Sequence, residues 1–205
     1  MKRRKPRKRL RDKIIFLVIE IVVLIILGVI LHGIMTPINM IKKAEELEIP
    51  DWIDVQIIDE GNPSRTGLKL DGINDIVVHY VGNPGTTAQQ NRNFYNHDDS
   101  DVSSHFVIGM EGEIIMCLPL YERSSASNHR NNDTISIEVS HPDESGKFTD
   151  ASLNSLKKLI KWLMSEFDLS ADHVIRHYDV TGKECPRYFV THEDAWIEFK
   201  NELEE

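Results

Sequence analysis

An unbroken apolar run, Ile14–Leu31 (IIFLVIEIVVLIILGVIL), is interrupted by a single charged residue, Glu20. A helix apolar on every side is either buried whole or placed in lipid. At the helical rise, 18 residues span about 27 Å, slightly less than a ~30 Å hydrocarbon core. The uncharged stretch continues past Leu31 to Met35 and beyond, so a full span is feasible. A central acidic residue costs about 2.5–3.5 kcal/mol of insertion free energy. Tilt, protonation or a partner helix would relieve that cost at Glu20, and the sequence leaves the choice open.

The charge distribution orients this segment. Residues 1–13 carry nine Lys or Arg and one Asp, a net of +8, whereas the rest of the chain carries 15 basic and 32 acidic side chains, a net of -17. Basic flanks stay cytoplasmic. Beside a membrane segment they meet anionic headgroups more simply than nucleic acid. A cleaved signal peptide has a shorter apolar region ending in small residues, and LHGIMTPINM offers no such site. The expected organisation is a basic cytoplasmic tail (1–13), a transmembrane signal-anchor helix (14–35), a stalk (36–50) and a compact domain (51–205). This predicts a single-pass protein of the cell membrane with its domain outside; secretion after cleavage is the alternative.

Hydrophobic residues at 40% and charged residues at 28% suit one globular domain and exclude a wholly disordered or polytopic chain. Two cysteines cannot form a disulfide scaffold, and neither GxxxxGK[ST] nor GxGxxG occurs. Within the domain, β-branched content predicts strands at 75–81 and 172–177, and a hairpin joins 103–109 to 113–118. Strict alternation over 134–140 predicts a strand with Ile135, Ile137 and Val139 on one face and Ser136 and Glu138 on the other. Thr87 caps a helix reaching His97. Leu153, Leu156, Ile160, Leu163 and Phe167 form one stripe of a helix over 150–168. A last helix over 191–204 has Thr191 as its cap. The fold class is mixed α/β, a central β-sheet flanked by helices, preceded by one N-terminal transmembrane helix.

Nine histidines invite a metal reading, although a lone histidine is more often a surface or satisfied core residue. Context selects two. His79 ends a buried strand in DIVVHYVGNPG, and His177 ends another in VIRHYDVTGKECP, with Cys185 in the turn that follows. Strand ends and the loops after them are where sites form. Two imidazoles and a thiolate suit zinc with a fourth position open, a centre that acidifies water and polarises a carbonyl. A Cys117–Cys185 disulfide is the competing use of the thiol, and a cysteine hydrolase built on Cys185 and His177 is a competing chemistry.

The strings IVVHYVGNPGT, SSHFVIGMEGEII, NDTISIEVSHPDESGKF and VIRHYDVTGKECPRYF, in that order, resemble zinc-dependent N-acetylmuramoyl-L-alanine amidases of type 2, relatives of the peptidoglycan recognition proteins. The resemblance runs from about Asp54 to the C-terminus. It implies the amidase fold, one Zn2+ per domain held by His79, His177 and Cys185, and hydrolysis of the amide between N-acetylmuramic acid and L-alanine in peptidoglycan. It further implies Glu138 as general base and Lys183 as the residue stabilising the oxyanion. His105, Asn128 and His129 are candidate substrate contacts, with Asn128 and His129 in a loop that lines the cleft of relatives. Some relatives carry a catalytic tyrosine where this chain has Ser104; they lack the strand glutamate present here as Glu138. A non-catalytic peptidoglycan-binding module of the same fold is the alternative function. His141 and His173 read as surface residues, Cys117 as buried and free, and Trp162, Trp196 and Phe199 as core. Protein partners are not legible.

Overall fold

The computed structural model describes residues 7–205, so residues 1–6 of the basic tail lie outside the described residues. The chain divides into two units at Asn39 and Met40. In the first, residues 7–39 of helix α1 (Arg7–Glu46) carry the apolar run Ile14–Leu31, whose side chains are exposed, with Phe16, Leu24 and Val29 each at 67%. By length and composition this helix could cross a membrane, and a signal sequence passes the same test.

The second unit runs from Met40 to Glu205, so it starts well before Asp51. The cause is amphipathic spacing at the end of α1 and just after it. Ala44 is buried, and Ile41, Leu47 and Ile49 pack on the same core. Lys43 also pairs with Glu166 at 2.9 Å.

Six strands form one sheet: β1 (Asp54–Val55), β2 (Asp75–Tyr80), β3 (Phe106–Ile108), β4 (Ile114–Met116), β5 (Thr134–Val139) and β6 (Val174–Arg176). Their order is β1-β4-β3-β5-β2-β6, and only the β3–β4 hairpin is antiparallel. Gly112 closes that hairpin at φ 88°, a conformation that side chains with a Cβ resist. The expected mixed sheet with flanking helices is therefore present.

Alternation sorts the strand residues onto two faces. Ile76 and Val78 of β2, Phe106 and Ile108 of β3, and Ile135, Ile137 and Val139 of β5 pack in one core. Helix α3 (Asp150–Phe167) covers them with Leu156, Leu159, Ile160, Leu163 and Phe167. The last helix adds Trp196, Phe199 and Leu203 to the same core, while Trp162 packs edge-on against Trp52 at its margin. On the opposite face, Val107 and Ile115 meet Ala88 and Tyr95 of helix α2 (Ala88–Tyr95), together with Ile58, Cys117 and Leu118. The capping box of Thr87 and Gln90 starts α2, and such a cap contributes about 1 kcal/mol.

The polar side of β5 is covered as well, with Thr134 and Ser136 fully buried. A parallel strand in mid-sheet is covered on both faces. Several local expectations change. The 172–177 strand shortens to β6, preceded by a 3-10 turn at Ala171–His173 and followed by a short helix, α4 (His177–Thr181). Thr191 ends helix α5 (Arg187–Thr191) instead of capping α6 (Glu193–Glu204), because its hydroxyl bonds back to the Arg187 carbonyl at 3.0 Å. His192 is the N-cap of α6.

Candidate metal centre and its cavity

Three elements converge at the C-terminal ends of β2 and β5. In the β2–β5 register His79 lies opposite Glu138, on the face away from Ile76, Val78 and Ile137. His177 is the first residue of α4, directly after β6, which is the other neighbour of β2. Helix α4 ends at Gly182, whose φ of 77° turns the chain back on itself. The Tyr178 N–H then donates to the Cys185 carbonyl at 2.8 Å, which returns Cys185 to the side of His177. The Cys185–Pro186 peptide is cis.

One ligand atom each from His79, His177 and Cys185 lies within 4.8 Å of the others. His79 Nδ1 is 3.8 Å from Cys185 Sγ and 3.9 Å from Glu138 Oε1. The two imidazoles sit 4.6 Å apart between centroids. A cavity of about 260 Å³ opens over the three residues, lined also by Glu138, Lys183, Tyr95 and Ser103. A larger open cleft of about 740 Å³, near Trp52 and Glu113, has no histidine or cysteine in its lining. Donor chemistry, not size, singles out the smaller one.

Electrostatics follow from burial. Desolvation holds His79 well below the usual histidine range, and the neighbouring His177 and Lys183 add to it. Burial and then Lys183 also lower His177, so both sites favour the neutral ring. The Cys185 thiol is pushed up to about 12 by burial and by the Glu138 carboxylate. Burial pushes Glu138 up to about 8, against the pull of Lys183. These shifts all disfavour net charge in the pocket, a debt that a bound cation would reverse. Among the described residues, two buried side-chain polar atoms have no hydrogen-bond partner, His177 Nδ1 and Glu138 Oε2. An orphaned ring nitrogen beside a thiol and a second imidazole fits a zinc-type donor set.

The outer ring nitrogens are engaged elsewhere. His79 Nε2 lies 3.2 Å from Ser127 Oγ, and His177 Nε2 lies 2.8 Å from Asn128 Oδ1. Asn128 is thus drawn onto His177, while His129 is exposed on the same turn. Lys183 is exposed and lies on the cavity wall. His105 is away from that wall. It is fully buried, with Nε2 2.8 Å from the Glu122 carbonyl and Nδ1 accepting from the Ser136 N–H at 3.1 Å. Ser104 is buried too, and its hydroxyl donates to the Phe106 carbonyl at 2.8 Å.

Both cysteines are free, so the disulfide is excluded, and Cys117 is buried as expected. His141 is not a surface residue. It is 1% exposed, and its ring nitrogens lie 2.7 Å from the carbonyls of Val81 and Asp143. His173 is exposed and sits 3.2 Å from Asp75. Sequence reasoning did not find Tyr95 in the cavity. Its signal was present, since Ala88, Asn91 and Tyr95 are the buried stripe of α2 at helical spacing. No sequence signal marked Ser127 as a partner of His79.

Fold and site together define an α/β protein with a histidine–histidine–cysteine centre beside a buried carboxyl group. The chain belongs to the N-acetylmuramoyl-L-alanine amidase family of type 2, whose sequence profile matches residues 69–188. The amidase BlyA of Bacillus subtilis (strain 168) is 29% identical over 161 residues, covering 68% of this chain and 43% of its own length. The amidase XlyA of the same organism is 33% identical over 158 residues, covering 74% of this chain and 49% of its own. This chain therefore spans less than half of either relative. The solved catalytic domain of XlyA superposes with a TM-score of 0.65 at 28% identity, over 74% of this chain and 98% of that domain.

Proposed function

We propose that this protein is a membrane-anchored, zinc-dependent peptidoglycan hydrolase that cleaves the amide between N-acetylmuramic acid and the L-alanine of the stem peptide. The observation that carries the reading is the convergence of His79, His177 and Cys185 in a cavity that also presents Glu138 and Lys183. His79, His177 and Cys185 would hold the ion. When bound, zinc supplies an acidified water and a Lewis acid for the scissile carbonyl.

The chain's own groups do the remaining work. The Glu138 carboxylate takes the proton of the attacking water and delivers it to the leaving amine of L-alanine. Its neighbour His79 and the core beneath β5 keep it from swinging away. The Lys183 ammonium faces the negative charge that develops on the carbonyl oxygen. The walls from Tyr95 and Ser103 restrict water around the reacting amide. Helix α1 serves as the anchor, with the basic residues on the cytoplasmic side and the acidic domain outside, next to the wall. The apolar run and the Lys/Arg cluster that precedes it support this topology.

The test incubates the chain of residues 1–205 in detergent with peptidoglycan, with and without a chelator, and reads the products by mass spectrometry. Release of stem peptides bearing a free L-alanine amine, lost with chelator and restored by zinc, supports the reading. A folded, zinc-loaded chain that binds several walls and releases nothing makes it a binding module instead.

A further inference from the structure

We propose that the turn beginning at Ser127 is a clamp that positions both histidines of the metal centre, with Ser127 holding His79 and Asn128 holding His177. The inference rests on the zinc reading and deepens it. His79 and His177 come from separate elements, β2 and α4. A histidine ring has a broad, roughly two-fold torsion about its last bond, so packing alone selects weakly which nitrogen points inward. An outer hydrogen bond makes the selection. It fixes the ring and the tautomer, and it raises the basicity of the inner nitrogen.

On His177 both halves of this arrangement are present. Nε2 lies 2.8 Å from the Asn128 carboxamide oxygen, which only accepts, so Nε2 carries the hydrogen. Nδ1 is then a bare lone pair, buried and without a hydrogen-bond partner, on a ring within ligand reach of Cys185. On His79, Nε2 lies 3.2 Å from the Ser127 hydroxyl while Nδ1 is 3.8 Å from Cys185 Sγ. Two consecutive residues thus reach the outer edges of two rings that the chain brings together from far apart.

The turn is itself held. The Asn131 side-chain oxygen accepts from the backbone N–H of Ser127 at 2.6 Å and of Ala126 at 3.2 Å. The Thr134 hydroxyl, at the start of β5, donates to the Arg130 carbonyl at 2.7 Å. Arg130 also pairs with Asp133 at 2.8 Å and with Asp75 at the start of β2. The clamp is therefore tied to the two strands that carry His79 and Glu138. Asn128 has a φ of 54°, a left-handed conformation that asparagine tolerates better than most residues. The family resemblance makes Asn128 a candidate substrate contact, but its side-chain oxygen is engaged by His177.

The test measures zinc affinity of the chain of residues 1–205 by competition with a chromophoric chelator, and the visible absorption of the cobalt-loaded protein. Asn128→Gly keeps the left-handed backbone and removes the acceptor. Asn128→Asp keeps an acceptor on the same stem, and Ser127→Ala removes the other contact. Asn128→Gly is expected to weaken zinc binding by about tenfold or more and to alter the cobalt spectrum, as loss of an outer partner does. Asn128→Asp is expected to retain the parent affinity, and Ser127→Ala to weaken it. If Asn128→Gly and Ser127→Ala both bind within about twofold of the parent, the clamp is wrong while the metal centre stands. If Asn128→Asp loses as much affinity as Asn128→Gly, the contact is only packing and the clamp is again wrong. A parent chain that binds no zinc overturns the metal reading itself, and this inference with it.

Discussion

His79 and Glu138 face one another across the parallel β2–β5 pair, with Nδ1 of the histidine 3.9 Å from Oε1 of the carboxyl. The register alone produces this meeting. A slip of one residue in β5 would turn Glu138 into the core of Ile137 and Val139 and bring an aliphatic side chain beside His79. A burial pattern that keeps three aliphatic residues on one face therefore also keeps the carboxyl in the cavity.

Replacing Glu138 by glutamine preserves the shape of the site and removes the proposed base. Zinc content is expected to stay at the parent level, while the rate of stem-peptide release falls by roughly 10²–10⁴-fold, the usual contribution of general-base catalysis. Metal analysis and product quantification on the same sample check both halves. A variant that keeps its rate would take Glu138 out of the mechanism.

Lys183 is exposed on the cavity wall, so its loss should not disturb folding. Lys183→Met is expected to lower kcat by roughly 10²-fold with little change in melting temperature or zinc affinity, in the range of a lost oxyanion contact. Steady-state kinetics on a soluble muropeptide separates kcat from KM. An effect confined to KM would make Lys183 a binding residue only.

Binding of zinc should release protons. The Cys185 thiol, raised to about 12, is protonated in the metal-free protein at any ordinary pH, and the ion binds the thiolate. Glu138, raised to about 8, gives up a second proton beside the cation below that pH and is already ionised above it. Zinc affinity should therefore rise with pH, more steeply below about 8 than above. Calorimetry in buffers of different ionisation enthalpy counts the protons. No release at neutral pH would mean that Cys185 is not a ligand.

His105 connects acid stability to the fold. Burial lowers it to about 4, and in the unfolded chain it titrates near 6.5. Between those values the unfolded state binds the extra proton, so stability is full above 6.5 and falls as the pH drops toward 4. The gap corresponds to about 3 kcal/mol at one histidine. Thermal melts across this range should slope downward for the parent. His105→Gln should flatten the slope while lowering the melting temperature at neutral pH, because the bonds to Glu122 and Ser136 change. An unchanged slope would assign the acid loss to other groups.

Much of the fold was legible along the chain. The stripe of α3, the cap at Thr87 and the alternation of β5 are local patterns with a local cause, and each reappears in the structure. The donor residues were legible as residue types at strand ends and in the GKECP turn. What failed was anything that depends on a distant neighbour. His141 reads as polar and exposed, but a loop closes over it and two carbonyls meet its ring. His105 reads as a cleft residue, yet its ring is turned inward onto Glu122 and Ser136.

The sequence by itself determined the periodicities, the apolar N-terminal segment and the chemistry available to the site. Those depend on side-chain type and on spacings of two or three to four residues. Tertiary structure decided which atoms meet. The parallel register brought His79 to Glu138, the left-handed turn at Gly182 brought Cys185 back to His177, and one short turn put Ser127 and Asn128 behind both imidazoles. Apart from the Gly182 turn, these contacts join residues far apart in the chain, and packing the two faces of the sheet selects them, which no local spacing encodes.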